Sequence, residues 1–146
     1  SARLPVQIFR LAGIYGPGRN QPQSLLEGTA KRVIKKGQLF SRIHVEDIAS
    51  VLEASIAHPH PGRAYNVCDD EASPPQDVVE YGARLLGLPV PPDIPFEQAE
   101  LSPRARSFYA DSKRVSNARI RNELGVRLKY PTYREGLAAL ASGIRR

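Results

Sequence analysis

An α/β fold built on a parallel sheet is what this sequence predicts, and three observations carry the prediction. Short β-prone runs alternate with stretches of helical periodicity, the pattern of a sheet covered by helices. The first run, residues 6–14, is apolar except at Gln7 and Arg10, as expected of a strand buried on both faces. It stops at Gly13, Gly16, Pro17 and Gly18, and a helical pattern follows. A glycine-rich loop between strand and helix is where open α/β sheets present ligands. Only two long strands are evident, so a sheet this apolar is expected to be part of a larger one.

Each later element has its own signal. Leu25, Leu26, Thr29, Ala30, Val33 and Ile34 recur at helical spacing, which predicts a helix over 24–36 ended by Gly37. Residues 38–45 form a short β-prone piece. Glu46 and Asp47 suit a helix N-terminus, with Asp47 as its cap, and Ile48, Val51, Leu52 and Ile56 give that helix an apolar stripe. His58 to Gly62 ends it, and residues 63–68 form the second long strand. Ser73 reads as an N-cap with Pro74 and Pro75 in the first turn of a third helix, which carries Val78, Val79, Leu85 and Leu86 up to Gly87. Residues 88–106 form a proline-rich connector. Asp111 or Ser112 is expected to cap a fourth helix running to Gly125, and Thr132 to cap a last one that buries Leu137 and Leu140.

The 146 residues read as a single unit, with the strands and their helices in 1–87 and a helical lobe in 88–146. A net charge of +6 points to a basic surface that attracts an anionic ligand. No aromatic-interleaved platform, recognition helix or zinc spacing accompanies the arginines, which argues against specific nucleic-acid binding. The lone Cys68 fits a reducing compartment, and no apolar run approaches the ~20 residues of a membrane span. A cytoplasmic location is expected. The chain contains no methionine and begins at Ser1, so a processed, truncated or recombinant piece of a longer protein is expected.

Few residues carry a chemical signal. Gly13, Gly16 and Gly18 spell G-x-x-G-x-G, which differs in glycine order from a dinucleotide fingerprint and lacks the acidic residue about 20 positions on. Tyr109 and Lys113 stand four apart, the spacing of a catalytic pair. Tyr109 precedes the expected helix cap, so the match reads as coincidence. Arg42 and His44 alternate on a strand-like segment and project to one side. Together they can hold a phosphate or carboxylate, or form an exposed polar face. His58 and His60 lack a third ligand at metal spacing, and Asp69 to Glu71 reads as a solvated strand end.

In combination these motifs resemble a known family. The series Arg10-Leu-Ala-Gly-Ile-Tyr15-Gly-Pro-Gly, Arg42-Ile-His44-Val-Glu-Asp47-Ile and Tyr65-Asn66-Val67-Cys-Asp69 resembles the C-terminal half of extended and atypical short-chain dehydrogenase/reductases. These are the NAD-dependent epimerase/dehydratase, nucleoside-diphosphate-sugar epimerase-like proteins. Ser112 to Asn117, Glu123-Leu124-Gly125 and Tyr130-Pro131-x-Tyr133-x-x-Gly136-Leu137 look like that family's closing segment. The resemblance implies a partial Rossmann-like parallel sheet, contributing late strands with helices, followed by a C-terminal substrate-binding lobe. It implies NAD or NADP in a parent of about twice the length, with no tight cofactor binding by this chain. The cofactor fingerprint and catalytic Tyr/Lys precede the matched region in the family, so no catalytic residue is assigned here. Gly13, Ile14 and Tyr15 match the cofactor-bordering loop. Arg19, Asn20, Arg42 and His44 match the substrate side, as does one of Arg104 and Arg106, assigned to Arg106. The implied substrate is a small anionic or nucleotide-sugar molecule. The open edge at residues 6–14 further predicts a homo-oligomer. A non-catalytic ligand-binding or regulatory protein on the same fold is the alternative.

Overall fold

The structure is a computed structural model that describes residues 4–112 and 114–144. In chain order it contains β1 (Ile8–Leu11), β2 (Gly13–Tyr15), α1 (Gln21–Leu26), β3 (Arg32–Ile34), β4 (Arg42–His44), α2 (Val45–Ala57), β5 (Ala64–Val67) and α3 (Pro75–Leu86). The later part adds β6 (Asp93–Pro95), α4 (Pro103–Phe108), α5 (Ala118–Asn122) and α6 (Tyr133–Ile144). Every strand pair is parallel, as the alternation of strands and helices predicts: β1 with β5, β2 with β4, and β3 with β6. None of the described helices is long and apolar enough to cross a membrane.

The first strand differs from expectation. Residues 6–14 form two strands because the backbone changes partner at Ala12. Ala12 N–H still donates to Val67 O at 3.1 Å, whereas Gly13 N–H donates to Ser41 O at 3.2 Å. One side of the sequence therefore reads β5 and the next reads β4. Nor is the run buried on both faces: Val6, Ile8 and Leu11 are about half exposed.

A second correction concerns 24–36, where α1 ends at Leu26 and β3 takes up Arg32–Ile34. Asn20 caps α1, its Oδ1 accepting from Gln23 N at 2.8 Å. Gly28, at φ +73°, then closes the helix, with Thr29 N–H donating to Ser24 O at 2.9 Å. Beyond it the β-branched Val33 and Ile34 pair with Ile94 and Pro95 of β6, so the proline-rich connector is not structureless. Ser102 caps α4 by accepting from Ala105 N at 3.1 Å.

Three expected caps are placed otherwise. His44, not Asp47, caps α2, its Nδ1 accepting from Glu46 N at 3.0 Å. The α3 cap position falls on Pro74, and Ser73 instead meets Arg42. Ser112 bridges Gly37 O and Leu39 N rather than starting a long helix, and α5 begins only after Asn117. The α6 cap does form, with Thr132 N–H donating to the Glu135 carboxylate at 3.0 Å.

Two apolar clusters hold these elements. Ile43, Val51, Tyr65 and Val67 pack with Ile120, Leu124 and Val126, so the early strands share a core with the segment around α5. Tyr15, Val78, Tyr133, Leu137 and Leu140 form the other, which seats α6 against β2 and α3. Between them Asp47 is buried, and its two oxygens accept from the backbone N–H groups of Lys129 (2.8 Å) and Tyr130 (3.1 Å).

Candidate functional site

A cleft of about 1130 Å³ opens beside β2 and β4 and is bounded on its far side by α4. Its near wall is Gly13, Ile14 and Tyr15, continued by Arg19 and Asn20 at the start of α1. These five expected site residues are thus brought together with Arg42. The glycine at 13 has a local reason: a Cβ there would stand 3.3 Å from Ser41 O, inside the strand pairing. Asn20 is occupied in capping α1, with its Nδ2 donating to Gly16 O at 2.9 Å.

Arg42 is the least exposed of the three described arginines that line the cleft, beside Arg10 and Arg19. Its Nη1 donates to Phe40 O at 3.1 Å and to Ser73 Oγ at 2.6 Å, which fixes the guanidinium plane. Burial lowers its pKa from the ordinary arginine value, and the facing Asp69 opposes that shift. Tyr15 is a buried phenol whose Oη faces Gly136 of α6 and has no partner among the described residues. Burial, reinforced by Asp69 and Asp47, raises its pKa, so it stays protonated.

Two expected site residues lie elsewhere. His44 is 2% exposed and does not line the cleft. Its ring packs against Tyr15 (5.1 Å between centroids) and Tyr130 (4.2 Å), and its pKa is lowered, chiefly by burial. The strand-like alternation with Arg42 fails to bring both into the cleft because β4 ends at His44, which turns to cap α2. Arg106 is also absent from the lining; its Nη2 donates to Ala99 O at 2.9 Å, and its guanidinium lies 4.7 Å over the Phe96 ring. Lys113, of the Tyr109/Lys113 spacing, lies outside the described residues. The described residues contain no group of three potential metal ligands.

Asp69, read from sequence as solvated, is 4% exposed. Its Oδ1 accepts from Glu71 N at 3.1 Å while Oδ2 has no partner among the described residues. Burial pushes its pKa up to about 7, against the opposing effects of the Glu71 N–H and Arg42. An unfolded aspartate ionises near 3.9, so folding favours the protonated form. The group's contribution is therefore greatest below about pH 4, declines between roughly 4 and 7, and is constant above that. Asp69→Asn is expected to gain stability relative to the parent chain as pH rises from 5 to 8, by roughly 2–3 kcal/mol. Urea melts at the two pH values test this; a difference between the chains that does not change with pH would reject it.

Sequence reasoning missed Ser41, Gln21 and Phe108, which also line the cleft. No local pattern marks them, since they meet only through the pairing of β2 with β4 and the placement of α4.

Parallel strand pairs covered by helices, with a cleft beside β2 and β4, define an α/β fold of the kind that presents ligands at its strand ends. No family model matches the chain. A 3-diazoavenalumate denitrifying reductase of Streptomyces sp is 30% identical over 151 residues, covering 94% of this chain and 47% of that protein. Protein YeeZ of Escherichia coli (strain K12) is 33% identical over 127 residues, covering 86% and 41%. The chain thus spans about half the length of the curated relatives it matches. A functionally unknown conserved protein from Silicibacter pomeroyi superposes with a TM-score of 0.92 at 63% identity, over 96% of this chain and 50% of that one. Human epimerase family protein SDR39U1 with NADPH gives 0.77 at 21% identity, over 97% and 51%. A dTDP-glucose 4,6-dehydratase from Bacillus anthracis in complex with NAD gives 0.72 at 22% identity, over 97% and 45%. The fold is the Rossmann-like fold of the NAD-dependent epimerase/dehydratase proteins, as the motifs imply, matched over about half of their length.

Proposed function

We propose that this chain is the substrate-facing part of an NAD(P)-dependent epimerase, dehydratase or reductase that acts on a small anionic molecule. The observation that carries the reading is Arg42, held by Phe40 O and Ser73 inside a cleft whose near wall is Gly13 to Tyr15. The residues present fit such a cofactor only at one edge. Gly13, Ile14 and the unpartnered Tyr15 phenol offer a wall for its ring, whereas the sequence contains no G-x-x-G-x-x-G cradle for its pyrophosphate. NAD(P), when bound, supplies hydride transfer; the residues here bind and orient the substrate.

Arg42→Ala in the full-length protein is expected to raise KM for an anionic substrate by roughly tenfold to more than a hundredfold, the loss of one charge-assisted bond. Ser73→Ala removes the buttress but not the charge, and should lower thermal stability while changing KM far less. An unchanged KM in Arg42→Ala would reject the reading.

The half-exposed Val6 and Ile8 beside the open edge of β1 support a homo-oligomer through that strand. Light scattering that shows only monomer at tens of micromolar would refute this part of the proposal.

A further inference from the structure

We infer that Asp69 is a positioning residue that sets the strength of anion binding at Arg42. Ionised, it offsets the arginine's charge from the buried side; protonated, it leaves that charge to the ligand. Binding of an anion is therefore coupled to uptake of a proton. The inference rests on reading the cleft as the substrate side.

The two residues meet where β4 begins and β5 has just ended. Asp69 N–H donates to Arg42 O at 2.7 Å, which sets one residue beside the other. Arg42 lines the cleft and Asp69 does not, so Asp69 acts on a ligand through Arg42 rather than by contact. The guanidinium commits only Nη1 to the protein, donating to Phe40 O and Ser73 Oγ; Nε and Nη2 make no hydrogen bond among the described residues. The carboxyl is likewise half engaged. Its Oδ1 accepts from Glu71 N, whereas Oδ2 is buried with no donor among the described residues. None of the ion pairs among the described residues includes Arg42 or Asp69. A buried acid that is near a cation but not clasped by it can hold or lose its proton at little cost either way.

The groups around Asp69 leave the titration to it. Burial pushes its pKa up to about 7; the Glu71 N–H and Arg42 pull it down, while Asp70 and Glu71 add to the rise. Those two carboxylates have partners of their own: Asp70 accepts from Asn117 Nδ2 at 2.7 Å and lies 3.9 Å from Arg121, and Glu71 pairs with Arg134 of α6. Tyr15 of β2, Tyr109 at the end of α4 and Tyr133 of α6 also act on Arg42, and burial raises all three phenols, so they stay protonated. Burial also pushes the Cys68 thiol up to about 11 and holds His44 below the ordinary histidine value. Asp111 lines the cleft but is exposed, where solvent screens it.

A ligand anion beside Arg42 disfavours a charge on Asp69, and by reciprocity the protonated form binds the anion more tightly. Affinity is highest below the pKa of the free protein. It falls as pH rises through that value and levels off once Asp69 is ionised in the complex as well. Like charges several ångströms apart at the effective dielectric of a partly buried site give a change of roughly three- to tenfold.

The test is calorimetry on the full-length protein at constant ionic strength with sulfate, whose charge does not change over the range used. Sulfate affinity should fall by roughly three- to tenfold from pH 6.5 to 8.5. At pH 7.5 the heat of binding should depend on the ionisation enthalpy of the buffer, the mark of proton uptake. Asp69→Asn should bind at both pH values as the parent does at 6.5, with no buffer dependence. Arg42→Gln should weaken sulfate by roughly tenfold or more. In the unsubstituted protein, the NMR signal of the Asp69 carboxyl carbon should titrate at higher pH with sulfate than without it. Arg42-dependent binding that ignores pH, or that varies with pH alike in the parent and Asp69→Asn, would overturn the inference and leave the substrate-side reading standing. A carboxyl titration that sulfate does not move would do the same. Binding indifferent to Arg42→Gln, or no sulfate binding at all, would overturn both.

Discussion

Asp47→Ala is expected to destabilise the chain by roughly 3–5 kcal/mol, the sum of two hydrogen bonds to a charged acceptor. The carboxylate is 1% exposed and is the partner of two consecutive backbone N–H groups, Lys129 at 2.8 Å and Tyr130 at 3.1 Å. Alanine would leave both part-buried donors without their acceptor, beside the space of a buried carboxylate. The damage would also spread, because Tyr130 packs on His44 at 4.2 Å and His44 Nδ1 holds the first turn of α2. Asp47→Asn keeps one acceptor oxygen and should cost less. Glu46→Ala, at the preceding position, loses an exposed ion pair with Lys129 and a first-turn carboxylate of α2, and should cost far less than Asp47→Ala. Urea denaturation of the three variants checks the order. An Asp47→Ala chain within about 1 kcal/mol of the parent would show that water satisfies those donors and that the carboxylate does not tie the segments together.

Gly136→Ala is expected to cost about 1–3 kcal/mol, although alanine is the better helix former by about 1 kcal/mol. A Cβ at 136 would lie 1.9 Å from Tyr15 Oη and 2.7 Å from two ring carbons, so either α6 retreats or the tyrosine rotates. Both responses disturb the cluster of Tyr15, Val78, Tyr133 and Leu137, and both move a wall of the cleft. Tyr15→Phe removes the closest contact but not the ring contacts. Gly136→Ala should therefore cost less in that background, a coupling that a double-mutant cycle reads directly. Thermal melts showing Gly136→Ala as stable as the parent chain, with no coupling to Tyr15→Phe, would mean that α6 shifts freely and that the glycine is not what lets it dock.

What the sequence by itself determined is the kind of fold and some of its punctuation. Alternating β-prone and helical stretches implied a parallel sheet, and the three strand pairs among the described residues are parallel. Gly87 ends α3 at φ +67°, and Thr132 with Glu135 starts α6, because these signals act within one turn of the chain. Arg42 at the cleft was legible as a strand residue able to face a ligand. The tertiary structure alone decided what depends on distant partners. Apolar periodicity reports that a residue wants burial, not which strand will supply its hydrogen bonds. Residues 6–14 therefore read as one strand until Ala12 and Gly13 take bonds from β5 and the β4 side in turn. Val33 and Ile34 fit a helical stripe as well as a strand, and pairing with β6, sixty residues on, settled the matter. His44 and Arg42 alternate correctly for a shared face, yet the end of β4 turns one into a helix cap and leaves the other in the cleft. Asp69 looks like any acidic loop residue, and only the packing around it withdraws water and raises its pKa. Local bonds are written in local sequence, whereas desolvation and strand partnership arise when the chain closes on itself.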